Sequence, residues 1–153
     1  MLRSFFNTPK DCVLTFMRIM VAVVYFPHGA QKLLGWFGGG GFHATMGILG
    51  HMGIPAFAAF LVIFVEFFCP LALFAGFLTR LAALAIAFDM FMAVMLLHRH
   101  VGFFMNWAGK PRPEGYEFHL LAFAVAIPLI IRGGGSLSVD RAIVKAVDAK
   151  TQL

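Results

Sequence analysis

Residues 55–78 decide the fold: they read PAFAAFLVIFVEFFCPLALFAGFL and contain a single charged residue, Glu66. A helix rises about 1.5 Å per residue, so about 20 apolar residues cross a hydrocarbon core about 30 Å thick. Three further apolar stretches cover residues 12–34, 80–98 and 116–132. All four are continuously apolar rather than alternating, which favours helices over the strands of a membrane barrel. The sequence therefore predicts an integral membrane protein.

The composition of the 153-residue chain supports the same conclusion. Hydrophobic residues make up 61% and charged residues 12% of the chain, and the mean hydropathy is +0.88, far from the values of soluble domains. The net charge of +5 points to anionic lipid headgroups rather than nucleic acid, and no stretch resembles a nucleic-acid-binding module. Cys12 and Cys69 form no CxxC pattern, which disfavours disulfide exchange and covalent haem.

We predict an all-α fold, an antiparallel bundle of four transmembrane helices in one domain over residues 1–153. A short interfacial helix is expected in the outer loop within residues 36–55, where apolar residues recur at helical spacing. A short amphipathic tail helix, capped by Ser138 or Asp140, is expected on the cytoplasmic surface. Thr79 is expected to cap the third span.

The distribution of basic residues predicts the orientation in the membrane. With four spans the two termini share a side with most of the basic residues, namely Arg3, Lys10, Arg80, Arg132, Arg141, Lys145 and Lys150. The opposite side carries Lys32, Arg99, Lys110 and Arg112. The positive-inside rule therefore places both termini in the cytoplasm of a bacterial-type inner membrane.

Antiparallel threading gathers ionisable side chains in the outer half of the bundle. These are His28, Lys32, His98, Glu117 and His119. On the first span, Arg18, Tyr25, His28 and Lys32 fall within an arc of about 80° at about 100° per residue, so this face is expected to point inward.

Two carboxyl groups, those of Glu66 and Asp89, are placed near the membrane midplane. An isolated charge there costs at least about 2.5–3.5 kcal/mol on insertion scales, so each carboxyl needs a partner or a proton. Arg18 and Lys32 are the available cations.

Four kinds of site are compatible with these residues. A structural network would pair Lys32 or Arg18 with Glu66 or Glu117. A conduit for protons or small solutes would be lined by Arg18, Glu66 and Asp89. A small-molecule pocket would use the larger set His28, Lys32, Glu66, His98, Glu117 and His119. A metal or haem site would use His28, His98, Glu117 and His119, although no HxxxH-type pairing favours a metal.

At these positions the chain resembles the DoxX family of small four-helix membrane proteins. The matching elements are His28-Gly29-x-x-Lys32-Leu33, Gly35-x-Phe37-Gly38-Gly39, Glu66, Gly76-x-x-Thr79-Arg80, His98, Glu117 and Gly133-x-Gly135-x-x-Ser138-x-Asp140. The sequence Cys69-Pro70 departs from the family, where small residues are expected. The resemblance implies polar functional positions at His28, Lys32, Glu66, His98 and Glu117.

The resemblance also implies an association with respiratory and redox membrane complexes. Our first hypothesis is a quinone-linked redox subunit, in which His28 and Lys32 bind a quinone carbonyl and Glu66 or Glu117 relays a proton. The sequence shows no redox centre, so an oxidoreductase role requires an electron donor in a soluble partner enzyme. The second hypothesis is a non-catalytic membrane scaffold that recruits redox or oxidative-stress enzymes. Gly-rich and Ala-rich helix faces also permit a homo-oligomer.

Overall fold

The computed structural model describes residues 2–151, and within this range the chain is helical and has no strands. The helices are α1 (Leu2–Phe6), α2 (Cys12–Leu34), α3 (Gly41–His51), α4 (Ala56–Ala75), α5 (Thr79–Ala93), α6 (Glu117–Arg132) and α7 (Val139–Thr151). A short 3₁₀ turn at Trp36–Gly38 precedes α3, and α5 continues as a wider π-helical segment over Val94–His98. The prediction of an all-α fold is confirmed.

Three helical stretches of the described chain are long and apolar enough to cross a membrane: Cys12–Leu34, Ala56–Ala75 and Thr79–His98. Their bounds agree closely with three of the four predicted spans. The fourth predicted span coincides with α6, which has 16 residues. Large apolar side chains cover the outer surfaces, and Phe57 is 74% exposed. Such a surface suits contact with lipid acyl chains.

The long helices pack in a closed ring around one apolar core. Helix α2 contacts α4 and α6, while α5 contacts α4 and α6, and α3 lies against α2 and α4. Val21, Leu73, Ile86 and Leu129, one from each of the four helices of the ring, belong to this core.

Helices α2 and α4 approach each other closely at Gly29. A Cβ atom at this position would overlap the backbone carbonyl of Glu66. Only glycine allows the two backbones to come this near, as small residues do at many membrane-helix crossings. The contact places Lys32, about one turn further along α2, beside the Glu66 side chain.

The tail supplies the N-terminal cap of α5. The Asp140 carboxylate accepts hydrogen bonds from the backbone amides of Leu78 (2.7 Å) and Thr79 (2.9 Å). Leu78 has a positive φ of 48°, and this left-handed turn exposes both amides to the tail. The prediction that Thr79 caps α5 is wrong, because Leu78 takes the cap position and the buried Thr79 hydroxyl has no hydrogen-bond partner in the described chain. Ser138 caps its own helix, α7, by accepting from the amide of Arg141 at 3.2 Å.

The position of Arg18 corrects the expectation that it neutralises a carboxylate in the bundle. Its side chain is only 2% exposed and donates to the carbonyls of Leu73 (2.7 Å) and Phe74 (2.6 Å) at the end of α4. It also donates to the carbonyls of Gly134 and Leu137. Helix C-termini carry unpaired carbonyls and partial negative charge, which a guanidinium satisfies. Arg18 therefore joins α4 to the segment before α7.

Replacement of Asp140 by alanine tests the cap. Loss of the cap leaves two amides without an acceptor, so we expect Asp140→Ala to lower the free energy of unfolding by about 1–2 kcal/mol. Asp148→Ala is the matched control, because Asp148 lies on the same helix in an exposed ion pair with Arg3. This control should change the free energy of unfolding by less than about 0.5 kcal/mol. Thermal unfolding in detergent, followed by circular dichroism, measures both. Equal effects would contradict the cap.

Replacement of Gly29 by alanine tests the helix crossing. The added methyl group forces α2 and α4 apart, and we expect a loss of about 1–3 kcal/mol in the free energy of unfolding. Gly47→Ala is the control, since no atom lies within 4 Å of a Cβ at this α3 position, and the better helix propensity of alanine should stabilise by up to about 1 kcal/mol. Denaturation in mixed micelles compares the two. A neutral Gly29→Ala would show that the crossing tolerates a larger residue.

Candidate functional site

A partly buried ion pair joins α2 to α4 next to the Gly29 crossing. Lys32 Nζ donates to Glu66 Oε1, and Glu66 is 5% exposed, whereas the Lys32 side chain is 33% exposed. The second carboxylate oxygen, Glu66 Oε2, is buried and has no donor among the described residues. The structure thus pairs Glu66 with Lys32, and Arg18 lies at the C-terminal end of α4.

Asp89 on α5 completes a group of three with this ion pair. Its side chain is 8% exposed and lies within hydrogen-bonding reach of the Glu66 carboxyl. The sequence places Asp89 near the midplane but not among the ligand-binding candidates. The signal that identifies it is the cost of a carboxyl group in the membrane interior, which is rarely present without a function.

These three side chains form the polar end of a cavity between α4 and α5. The cavity has a volume of about 280 Å³, and its other walls are apolar, with Leu49 and Ile54 contributed by α3 and the segment after it. Several lining residues are also exposed on the outer surface of the helices, and these are Leu61, Phe88, Leu96 and Leu97. The cavity therefore opens through apolar side chains that suit contact with lipid.

The two histidines predicted for the outer half of α5 and α6 form a separate pair. The rings of His98 and His119 lie 4.5 Å apart between centroids, at an angle of 45°. The Nδ1 atom of His98 lies 2.8 Å from the carbonyl oxygen of Glu114, which holds the outer loop against the pair. His119 is buried, and its Nδ1 has no partner in the described chain. Neither histidine lines the cavity.

The remaining two candidates point elsewhere. Glu117, in the first turn of α6, accepts a hydrogen bond from Trp107 Nε1 at 2.6 Å and so ties the outer loop to the helix. His28 is exposed on α2, so the expectation that it shares an inward face is wrong. It lies at the edge of the predicted arc, about 60° from buried Tyr25, and this rotation carries it onto the outer surface.

The four residues considered for a metal or haem do not converge. Within the described chain, no group of three or more His, Cys, Asp or Glu side chains has a geometry that could hold a metal ion. His98 and His119 are adjacent, whereas Glu117 bonds to Trp107 and His28 is exposed on α2. The arrangement around Lys32, Glu66 and Asp89 instead suits a ligand that forms hydrogen bonds at one end and apolar contacts over the rest.

Comparison with known proteins shows relatives along most of the chain. The chain is 29% identical over 136 residues to "Inner membrane protein YqjF" of Escherichia coli, covering 89% of this chain and 95% of that protein. It is 24% identical over 129 residues to "Putative oxidoreductase CatD" of Bacillus subtilis, covering 84% and 85% of the two chains. No solved structure matches significantly. The sequence model of the DoxX family matches residues 13–99, more than half of the chain. This integral membrane protein therefore belongs to the DoxX family.

Proposed function

We propose that this protein is a membrane subunit of a quinone-linked redox system and binds a quinone-like molecule in the cavity between α4 and α5. The observation that carries the proposal is an apolar cavity of about 280 Å³ that ends on Lys32, Glu66 and Asp89. Small-molecule sites are typically concave and apolar, with a few polar groups that fix the orientation of the ligand. The Bacillus subtilis relative is named "Putative oxidoreductase CatD", and this name supports a redox role.

The chemistry of the cavity matches that of a quinone head. An ammonium group has three donors, and Lys32 uses one of them for Glu66, so the others are free to donate to a quinone carbonyl. Phe88 and the aliphatic side chains of the wall supply apolar contact for the ring. Because the mouth is formed by exposed apolar residues, a lipid-soluble ligand enters directly from the bilayer. Lys32 takes the role first considered for both His28 and Lys32, since His28 lies outside the cavity.

Reduction of a quinone to a quinol takes up two electrons and two protons. We assign the electrons to a soluble redox enzyme that docks on the protein, because the sequence shows no redox centre of its own. The carboxyl groups of Glu66 and Asp89 lie at the polar end of the cavity, where a proton donor is needed. Glu117, the other relay candidate, bonds to Trp107 instead.

We further propose that α6 is a fourth span and that the chain forms a single membrane domain over residues 1–153. Its 16 residues extend about 24 Å, and the bilayer adapts to a short span by local thinning. Tyr116 and Trp107 at one end, and Arg132 at the other, suit the two membrane interfaces. Both termini then face the cytoplasm, in an inner membrane like that named for the Escherichia coli relative.

Cysteine labelling tests this topology. In a background with Cys12→Ser and Cys69→Ser, we introduce Lys110→Cys in the loop before α6 and Lys150→Cys in α7. A membrane-impermeant maleimide should label Lys110→Cys in intact spheroplasts and Lys150→Cys only after permeabilisation. The reverse pattern would contradict the orientation, and labelling of both sites from one side would contradict a fourth span.

Quinone titration tests the site. Lys32→Met removes a charged hydrogen-bond donor worth about 1.5–3 kcal/mol, so we expect affinity for a short-chain ubiquinone to fall at least about tenfold. His28→Ala, a change of an exposed residue on the same helix, should retain wild-type affinity. Isothermal titration in detergent gives both dissociation constants.

Two outcomes would count against the quinone site. The proposal fails if the wild-type protein shows no saturable binding, or if His28→Ala weakens binding as strongly as Lys32→Met. If binding is absent while Lys32→Met lowers the unfolding temperature, the polar group stabilises the helices, and a scaffold that recruits redox enzymes becomes the better explanation.

A further inference from the structure

The polar end of the cavity contains one cation and two acids. Lys32 reaches Glu66, and Asp89 lies against Glu66 from the neighbouring helix. If both carboxyl groups were ionised, the group would carry a net negative charge in the membrane interior. Buried charge without compensation is strongly unfavourable in a low-dielectric surrounding. The charge balance of these three side chains therefore calls for one additional proton.

The hydrogen bonds of Glu66 show where such a proton belongs. Lys32 occupies Oε1, while Oε2 is buried and receives no hydrogen bond from the described residues. Buried carboxylate oxygens are nearly always satisfied by a donor. Asp89 is the neighbouring group within reach, and a carboxyl group can donate only when it is protonated. A proton on Asp89 would satisfy the unpartnered oxygen and remove the repulsion between two adjacent carboxylates.

The other titratable groups around the two acids supply no second cation. Besides Lys32, α2 contributes Tyr25, whose buried hydroxyl also lacks a partner in the described chain. Helix α4 contributes Cys69 near Asp89. A phenol and a thiol are both neutral at physiological pH in an apolar surrounding. Lys32 therefore remains the one positive charge facing the acids in the described residues.

We propose that Glu66 and Asp89 share a single proton, so that together with Lys32 they form a neutral group, and that the cavity consequently selects neutral hydrogen-bonding head groups over anions. The preference for neutral head groups rests on the proposed quinone-like ligand and restricts that ligand to one chemical class. A carbonyl or hydroxyl head accepts from Lys32 without disturbing the charge balance. A carboxylate or sulfonate head would bring a second negative charge that no cation in the cavity is free to neutralise.

Infrared spectroscopy tests the shared proton directly. At neutral pH the wild-type protein should show the carbonyl stretch of one protonated carboxyl group, which shifts in D₂O. Asp89→Asn, which keeps a donor toward Glu66, should remove this band. Asp148→Asn, at an exposed carboxylate on α7, should leave it unchanged.

Variants of Lys32 and Glu66 test which charges determine the protonation of the two acids. In Lys32→Met no cation remains, so both acids should be protonated and the band should grow about twofold. In Glu66→Gln the remaining acid, Asp89, faces Lys32 alone, so it should ionise and the band should disappear. These changes also give an answer if Asp89→Asn fails to fold. A wild-type protein without the band, or a band insensitive to all three variants, would overturn the shared proton.

A binding comparison tests the ligand class. Wild-type protein should bind a neutral decyl-substituted quinone at least about tenfold more tightly than 4-decylbenzoate, the carboxylate anion of 4-decylbenzoic acid, which is of similar size. Equal or tighter binding of the benzoate would overturn the selection of neutral heads. The infrared band without any quinone binding would leave the shared proton standing and remove the proposed function. Quinone binding without the band would support the proposed function and overturn the shared proton, so the two failures are distinguishable.

Discussion

The close approach of α2 and α4 at Gly29 is the constraint on which the polar interior depends. With no Cβ at this position, the α4 backbone at Glu66 lies directly against α2. The Lys32 side chain can then reach Glu66 while the backbone of α2 stays helical. If the helices were further apart, Glu66 would be a buried carboxylate without its cation, which is among the more costly defects that a packed interior can contain.

Two polar groups lie along α4, one at its C-terminal end and one near its middle, and they differ in how many of their hydrogen-bonding atoms have partners. At the tail end, Arg18 donates to four backbone carbonyls, and Asp140 accepts from two amides. Such hydrogen-bond networks fix the geometry of helix ends and loops. Near the middle of α4, Glu66 keeps an oxygen that has no hydrogen-bond partner in the described chain and lies next to a cavity. The group around Arg18 and Asp140 stabilises the fold, whereas Glu66 still has an oxygen that can accept a hydrogen bond from a protonated group or a ligand.

The helices could be predicted from the sequence because a run of apolar residues long enough to cross a membrane can be recognised without knowledge of its neighbours in the fold. Lys32 and Glu66 also emerged as candidates, since depth along a helix follows from counting residues. The contact of Asp140 with Leu78 could not be predicted, because it joins residues 62 positions apart through a turn with a positive φ. The orientation of His28 was missed for a related reason. Helical periodicity gives angles within one helix, but the rotation of that helix is set by its neighbours.

The π-helical segment at the end of α5 explains why the cavity and the histidine pair lie on different sides. In a π-helix each residue turns less than in an α-helix, so side chains beyond Ala93 depart from the 100° spacing that applies before it. Leu96 and Leu97 line the mouth of the cavity, while His98 turns toward His119 on α6. Interruptions of this kind are frequent at functional sites. Here the wider turn allows the same helix to contact the outer loop on one side and to leave an apolar opening toward lipid beside Asp89 on the other.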